Sequence, residues 1–153
     1  MAKLGELAFA FVLTIATSAV PADETRARVD YMIHCQGCHL PEAAGVPGHV
    51  PRMKNFLGYF LHSQAGREFI VQVPGAATSN LSDARLAELV NWLLLTYSRK
   101  QLPEDFEPYK VDEITRLRPH LQADPESARQ EILRGIAESL PVLAAELETM
   151  SGY

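Results

Sequence analysis

The sequence predicts an all-α protein, and three observations carry that expectation. Apolar residues recur at three- and four-residue spacing in several separate segments, the repeat that places them on one face of a helix. Two of those segments open on helix-start signals, Ser82 before one and Asp124-Pro125-Glu126 before the other. Between the segments the chain is rich in Pro and Gly, and its one β-branched run, Phe69 to Val73, is short and stopped by Pro74-Gly75.

The elements follow in order. Lys3 gives a thin positive start, Leu7 to Ile15 a short apolar core, and Val20-Pro21-Ala22 a place for a cut, so residues 1–22 read as a cleaved secretory signal. The apolar run is short for a bilayer span and is diluted by Thr14, Thr17 and Ser18. Its removal leaves about 130 residues, one domain with a modest core and no later stretch able to cross a membrane. Asp23 to Ile33 predicts a first helix, acidic at its start, with Ala27, Tyr31 and Ile33 facing inward.

Residues 40–54 carry Pro41, Gly45, Pro47, Gly48 and Pro51, too many breakers for a regular element. Phe56 to Gln64 is apolar at helical spacing, while Phe69 to Val73 is expected as helix or irregular structure in preference to a strand. Ser82 caps a long helix bearing Leu86, Leu89, Val90, Trp92, Leu93 and Leu94. Leu102 to Tyr109 is an extended connector. Asp112 caps a short helix through Arg118, Asp124 starts another to about Ser139, and Pro141 begins a last piece. The stripe Ile132, Leu133, Ile136 and Leu140 is expected to dock on the domain core. The chain thus divides into a signal (1–22), a domain (23–101) and a helical extension (102–153).

Chemistry concentrates at Cys35-Gln36-Gly37-Cys38-His39. Two thiols at this spacing can add to the two vinyl groups of a haem as thioethers, and the adjacent imidazole can then bond iron. These are the only two cysteines, so no thiol remains for a structural disulfide. A thioredoxin-like dithiol needs a strand and a βαβ context around the motif, and zinc needs four ligands that His49 alone does not complete. An export signal places the motif in the periplasm, where such attachment occurs. The net charge of −5 argues against nucleic acid and anionic membrane surfaces and suits a partner with a positive dock.

Over residues 24–100 the chain resembles a class I c-type cytochrome. In that family a small residue and an aromatic precede the first haem cysteine by eight and four positions on a helix that crosses the last one. Here these are Ala27 and Tyr31, with Trp92 and Leu89 on the crossing partner. The resemblance also implies that Pro51, twelve residues after His39, uses its carbonyl to hold the other imidazole nitrogen. Leu81-Ser82-Asp83 and Gly66-Arg67 are similar to bacterial members. The fold implied is the cytochrome c fold, a small helical bundle around one covalent haem c bound by Cys35, Cys38, His39 and Pro51.

The chain departs from that pattern on the far side of the iron. Gln72-Val73-Pro74 puts Val73 where many relatives carry a ligating methionine, and valine cannot bond iron. Met53 and His62 are the candidate distal ligands, the first with a competing reading as core filler, the second as a hydrogen-bonded histidine. A vacant or water-bound site, or a ligand from the extension, remains open. Met32 is expected to pack on the first helix and Met150 to lie in the tail, while His34, His49 and His120 face solvent or bond locally in loops. Arg52, Lys54 and Arg67 form a candidate positive rim that pairs with haem propionates or steers a partner. The expected function is electron transfer between a dehydrogenase and a downstream acceptor rather than catalysis. The alternative is a haem protein with an open distal site for small ligands, or a haem subunit of an oxidoreductase.

Overall fold

Ala27 is small enough to let two helices touch, and the fold begins at that contact. The computed structural model describes residues 22–150. It is all-α: among the described residues the only β feature is an isolated antiparallel bridge between Val46 and Val50. The helices are α1 (Ala22–His34), α2 (Gln36–His39), α3 (Gln64–Gln72), α4 (Pro74–Ala77), α5 (Asp83–Tyr97), α6 (Val111–Leu117), α7 (Pro125–Ser139) and α8 (Pro141–Met150). Except for Ala22, the export signal read over residues 1–22 lies outside the described residues.

α1 crosses α5 with Ala27, Tyr31, Leu89 and Trp92 all buried. The Tyr31 ring lies 5.8 Å from Trp92 and 6.1 Å from Tyr97, and Trp92 meets Tyr97 edge-on at 5.4 Å. Such pairs contribute about 0.5–1.5 kcal/mol each beyond the area they bury. Two ion pairs flank the seam. Arg26 forks onto the Glu88 carboxylate at 2.6–2.9 Å, and Arg85 donates two hydrogen bonds to Asp30, whose side chain is fully buried. A carboxylate buried without its cation would cost about 3–5 kcal/mol, so Arg85 is what allows Asp30 to sit in this seam. Ile33 departs from its expected inward position: it is 68 % exposed, because α1 meets the core only along the Ala27, Asp30 and Tyr31 stripe and Ile33 lies two residues off it. Met32 is exposed as well rather than packed.

The middle of the chain is tighter than its apolar spacing suggests. Phe56 to Gln64 forms a short 3₁₀ turn, Leu57–His62, before Ser63 turns extended and caps α3 by accepting from the Gly66 amide at 3.0 Å. That cap makes the β-branched run through Val71 helical. Gly58 is required here: its amide donates to the buried Ser98 hydroxyl at 2.8 Å, and a Cβ would stand 2.7 Å from the Ser98 carbonyl. Ser82 caps α5 through the Arg85 amide.

The extension joins the same core. Tyr109, Ile114, Leu117, Leu133, Ile136 and Leu147 are buried in one cluster with Trp92, and Ile132 and Leu140 pack at its edge. The connector is held at Tyr109, whose amide and carbonyl both bond the Asn91 side chain at 2.7 and 2.9 Å. Its hydroxyl donates to the Arg67 carbonyl at 2.6 Å, and the Arg67 guanidinium stacks 4.2 Å over its ring. α6 starts two residues earlier than expected, with Lys110 rather than Asp112 at the cap position and Asp112 in the first turn, where its charge meets the helix dipole. Arg118 then reaches back to the carbonyls of Ala77, Ser79 and Leu81 and to Asp83. Asp124 caps α7, accepting from the Ser127 amide at 3.1 Å, with Pro125 in the first turn. The last helix carries the chain to Met150, so that residue ends a helix rather than lying in a loose tail.

Arg67 is tied to Glu113 by two bonds of 2.7 and 2.8 Å, both side chains being mostly buried. The Arg67 hydrogen bond holds the Glu113 carboxyl below the usual carboxylate range. Its stabilising contribution is therefore present above the ordinary glutamate pKa and is lost as pH falls through the lowered one. Arg67→Ala is expected to cost about 2–4 kcal/mol at neutral pH. Urea melts at several pH values will show the gap to the parent protein narrowing on acidification.

Candidate functional site

The Cys35–His39 motif is a single turn of helix that follows α1 after a break at Cys35, whose φ is −126°. The Cys35 amide donates to the Tyr31 carbonyl at 2.9 Å, and the Cys35 carbonyl accepts from Cys38 at 3.2 Å and from His39 at 2.9 Å. Both thiols and the imidazole thus ride on one turn that the α1–α5 crossing holds in place. Cys35 is half-buried against the core, Cys38 is exposed, and His39 is half-buried. Burial, with smaller contributions from Asp30 and Cys38, pushes the Cys35 thiol up to about 11.

The turn after the motif is fixed by the residues that built the crossing. The Tyr31 hydroxyl donates to the Leu40 carbonyl at 2.5 Å, where Leu40 takes a positive φ of 62°. Glu42, Ala43 and Asn55 also take positive φ, a cluster of left-handed residues that only surrounding contacts can maintain. Gly45 has a different reason: its φ is 69°, and a Cβ would stand 2.6 Å from the Arg52 amide nitrogen. This close approach brings the returning strand of the loop back under His39. Pro51 then accepts a hydrogen bond from His39 Nδ1 at 3.0 Å. Because a carbonyl can only accept, the proton is on Nδ1 and the lone pair is on Nε2. Burial lowers the His39 pKa, with the Pro51 bond acting weakly the other way, so the ring is neutral at pH 7 and can ligate a metal.

The remaining candidates are more scattered. Met53 is half-buried at the edge of the core, two residues past Pro51, its amide bonded to the Ala43 carbonyl at 2.9 Å. His62 is half-buried on the 3₁₀ turn, with Nε2 bonded to the Gln101 carbonyl at 3.0 Å. Val73 is half-buried and caps α4. His34, His49 and His120 are exposed. The expected basic rim does not assemble as a trio. Lys54 pairs with Glu42 at 2.6 Å on the surface, and Arg67 is committed to Glu113 and the Glu107 carbonyl. Arg52 alone stays beside Pro51, its guanidinium 5.7 Å from the Phe56 ring centre.

A cation that the sequence reading missed stands next to it. Arg129 on α7 is 4 % exposed and lies 5.1 Å from the centre of the same Phe56 ring. Its position one turn before Leu133, on the apolar stripe, was the available signal. Val29, Met32, Ile33 and Leu40, which flank the motif in sequence, are exposed. Among the described residues no three His, Cys, Asp or Glu side chains converge. Comparison of the chain with protein-family models, with curated proteins and with solved structures finds no match.

The two thiols differ in environment, and their reactivity should follow. Because the thiolate is the nucleophile, limited alkylation of protein made without haem attachment should modify Cys38 several-fold faster than Cys35 at mildly alkaline pH. Peptide mass spectrometry reads the ratio, and equal rates would contradict the burial of Cys35.

Proposed function

We propose that this chain is an exported monohaem c-type cytochrome of class I type that carries single electrons between a dehydrogenase and a downstream acceptor. One observation carries the reading. Cys35, Cys38 and His39 share a single helical turn, and His39 Nδ1 is tied to the Pro51 carbonyl, which leaves Nε2 as a fixed lone-pair donor. The donor set fits a haem: two thiols for thioether bonds and one neutral, oriented imidazole for iron. The crossing of Ala27 and Tyr31 with Leu89 and Trp92 supports the cytochrome c fold, because it is the packing that the resemblance calls for.

When bound, the haem supplies reversible one-electron chemistry. The chain's own contributions are positional. Tyr31 pins the turn after the motif, Pro51 fixes the His39 tautomer and raises its basicity, and the two cysteines remove the freedom of the cofactor to leave. The acidic balance suits a partner with a positive dock. Among the described residues no helix is long and apolar enough to cross a membrane, which is compatible with a free periplasmic carrier.

A second reading concerns the sixth position on the iron. His62 Nε2 is already engaged by the Gln101 carbonyl, Met53 is on the loop that serves His39, and Val73 has no donor. These placements favour iron without a protein ligand on the distal side, a form that binds small molecules. Such a protein serves in ligand binding or as the haem subunit of an oxidoreductase.

Haem staining after denaturing electrophoresis tests the first reading: colour should migrate with the chain, and Cys35→Ser with Cys38→Ser should abolish it. A colourless parent protein, produced alongside haem-attachment machinery, would overturn the proposal. Carbon monoxide added to the reduced protein tests the second reading. Rapid spectral change marks an open site, while none, together with loss of the low-spin spectrum in His62→Ala or Met53→Ala, names the ligand.

A further inference from the structure

Leu40, the residue after His39, is held in a backbone conformation that belongs to glycine. Its φ and ψ are 62° and 168°, a region that any residue with a Cβ all but avoids. Glu42 and Ala43 follow with φ of 60° and 58°, so three of the four residues after the motif carry strain. Such a turn persists only where contacts outside it over-determine its shape. One of those contacts falls on the strained residue itself, since the Tyr31 hydroxyl donates to the Leu40 carbonyl at 2.5 Å. Tyr31 is buried between the Trp92 and Tyr97 rings, so its hydroxyl is fixed by the α1–α5 crossing. Burial pushes the phenol up to about 12, with the Ala43 backbone acting the other way, so the donor keeps its proton.

The same turn carries the support of His39. The His39 carbonyl accepts from the Gly45 amide at 2.9 Å, and the carbonyl of buried Ala43 accepts from the Met53 and Lys54 amides at 2.9 and 3.0 Å. Pro51, two residues before Met53, accepts from His39 Nδ1 at 3.0 Å. These bonds close a ring that runs from Leu40 through Ala43, Met53 and Pro51 back to His39, and Tyr31 holds it at Leu40. Relaxation of Leu40 therefore moves both ends of the His39–Pro51 bond, the imidazole through the adjoining backbone and the carbonyl through Ala43. The strength of that bond governs how strongly Nε2 donates to a metal.

We infer that the Tyr31 hydroxyl, by holding Leu40 in its strained conformation, sets the donor strength of His39 toward iron. The inference rests on the haem reading above and adds a control on the iron ligand from inside the helix crossing. Tyr31 is on this account a positioning residue that acts through Leu40 and Pro51 without touching iron. Without the hydroxyl the turn relaxes, the Pro51 bond slackens and His39 donates less. A weaker donor favours ferrous iron, so the reduction potential rises.

The test uses the holoprotein with Tyr31→Phe, the double variant Tyr31→Phe/Leu40→Gly and, as control, Tyr109→Phe, which removes another buried hydroxyl that donates to a carbonyl. Tyr31→Phe should shift the ferric–ferrous equilibrium by up to tenfold, about 59 mV upward. Proton NMR of the reduced protein should show the His39 Nδ1 proton exchanging with solvent several-fold faster. Glycine adopts the Leu40 conformation without strain, and Leu40 is exposed, so the double variant should return both readouts to parent values. Tyr109→Phe should change neither. A haem-bearing Tyr31→Phe protein with parent-like potential and exchange overturns the inference, as does a shift that Leu40→Gly fails to reverse or that Tyr109→Phe equals. Should Tyr31→Phe fail to accumulate, the double variant is judged alone: parent-like readouts support the inference and altered ones overturn it. A parent protein that carries no haem defeats the proposed function instead, so the two failures are distinguishable.

Discussion

The close crossing of α1 and α5 is the constraint from which the rest of the structure descends. Ala27 permits it, Tyr31, Trp92 and Tyr97 fill it, and the Asp30–Arg85 and Arg26–Glu88 pairs fix its register at two points along the seam. Because α2 follows α1 directly after the break at Cys35, the position of both thiols is decided here rather than at the motif itself. The Tyr31 hydroxyl extends the same constraint into the following loop by holding the Leu40 carbonyl. The path from core packing to site geometry is therefore one aromatic side chain long.

The C-terminal extension acts as a brace. Arg118 spans the turn between α4 and α5 by bonding carbonyls that no helix satisfies, and it also meets Asp83 in the first turn of α5. Thr115 and Arg118 together hold the Asp83 carboxyl below its usual range. Tyr109 performs the equivalent task between α3 and α5. These contacts close the segment that follows Val73 from outside, so the polypeptide beyond the first hundred residues shapes the turn between α4 and α5.

Much of this was legible in the sequence because it depends on local signals. Ser82 and Asp124-Pro125 start helices for reasons confined to three or four neighbouring residues, and the Ala27, Tyr31 and Trp92 pattern is a spacing. What was not legible depends on long-range partners. Ile33 has the same periodic credentials as Tyr31 and ends up exposed, because periodicity gives a face but not its width. Arg67 read as part of a positive rim until Glu113, forty-six residues away, claimed it. Arg129 drew no expectation although it stands on a buried stripe, since composition does not reveal that a cation will be drawn inward. The 3₁₀ form of Leu57–His62 follows from the approach of Gly58 to Ser98, again a contact no local pattern announces.

Cys35 has a consequence in time as well as in space. On the proposed export reading it stands near the start of the mature chain, while α5, part of the core it packs against, arrives more than forty residues later in the sequence. On that reading, a chain emerging from an export channel presents the motif before it can be enclosed. Once α5 docks, the thiol becomes half-covered and reluctant to ionise. On the proposed reading, the interval between export and docking is when a cofactor can be joined most readily, and the speed with which α1 finds α5 sets its length. Strengthening that helix pair would then hasten folding and curtail maturation together.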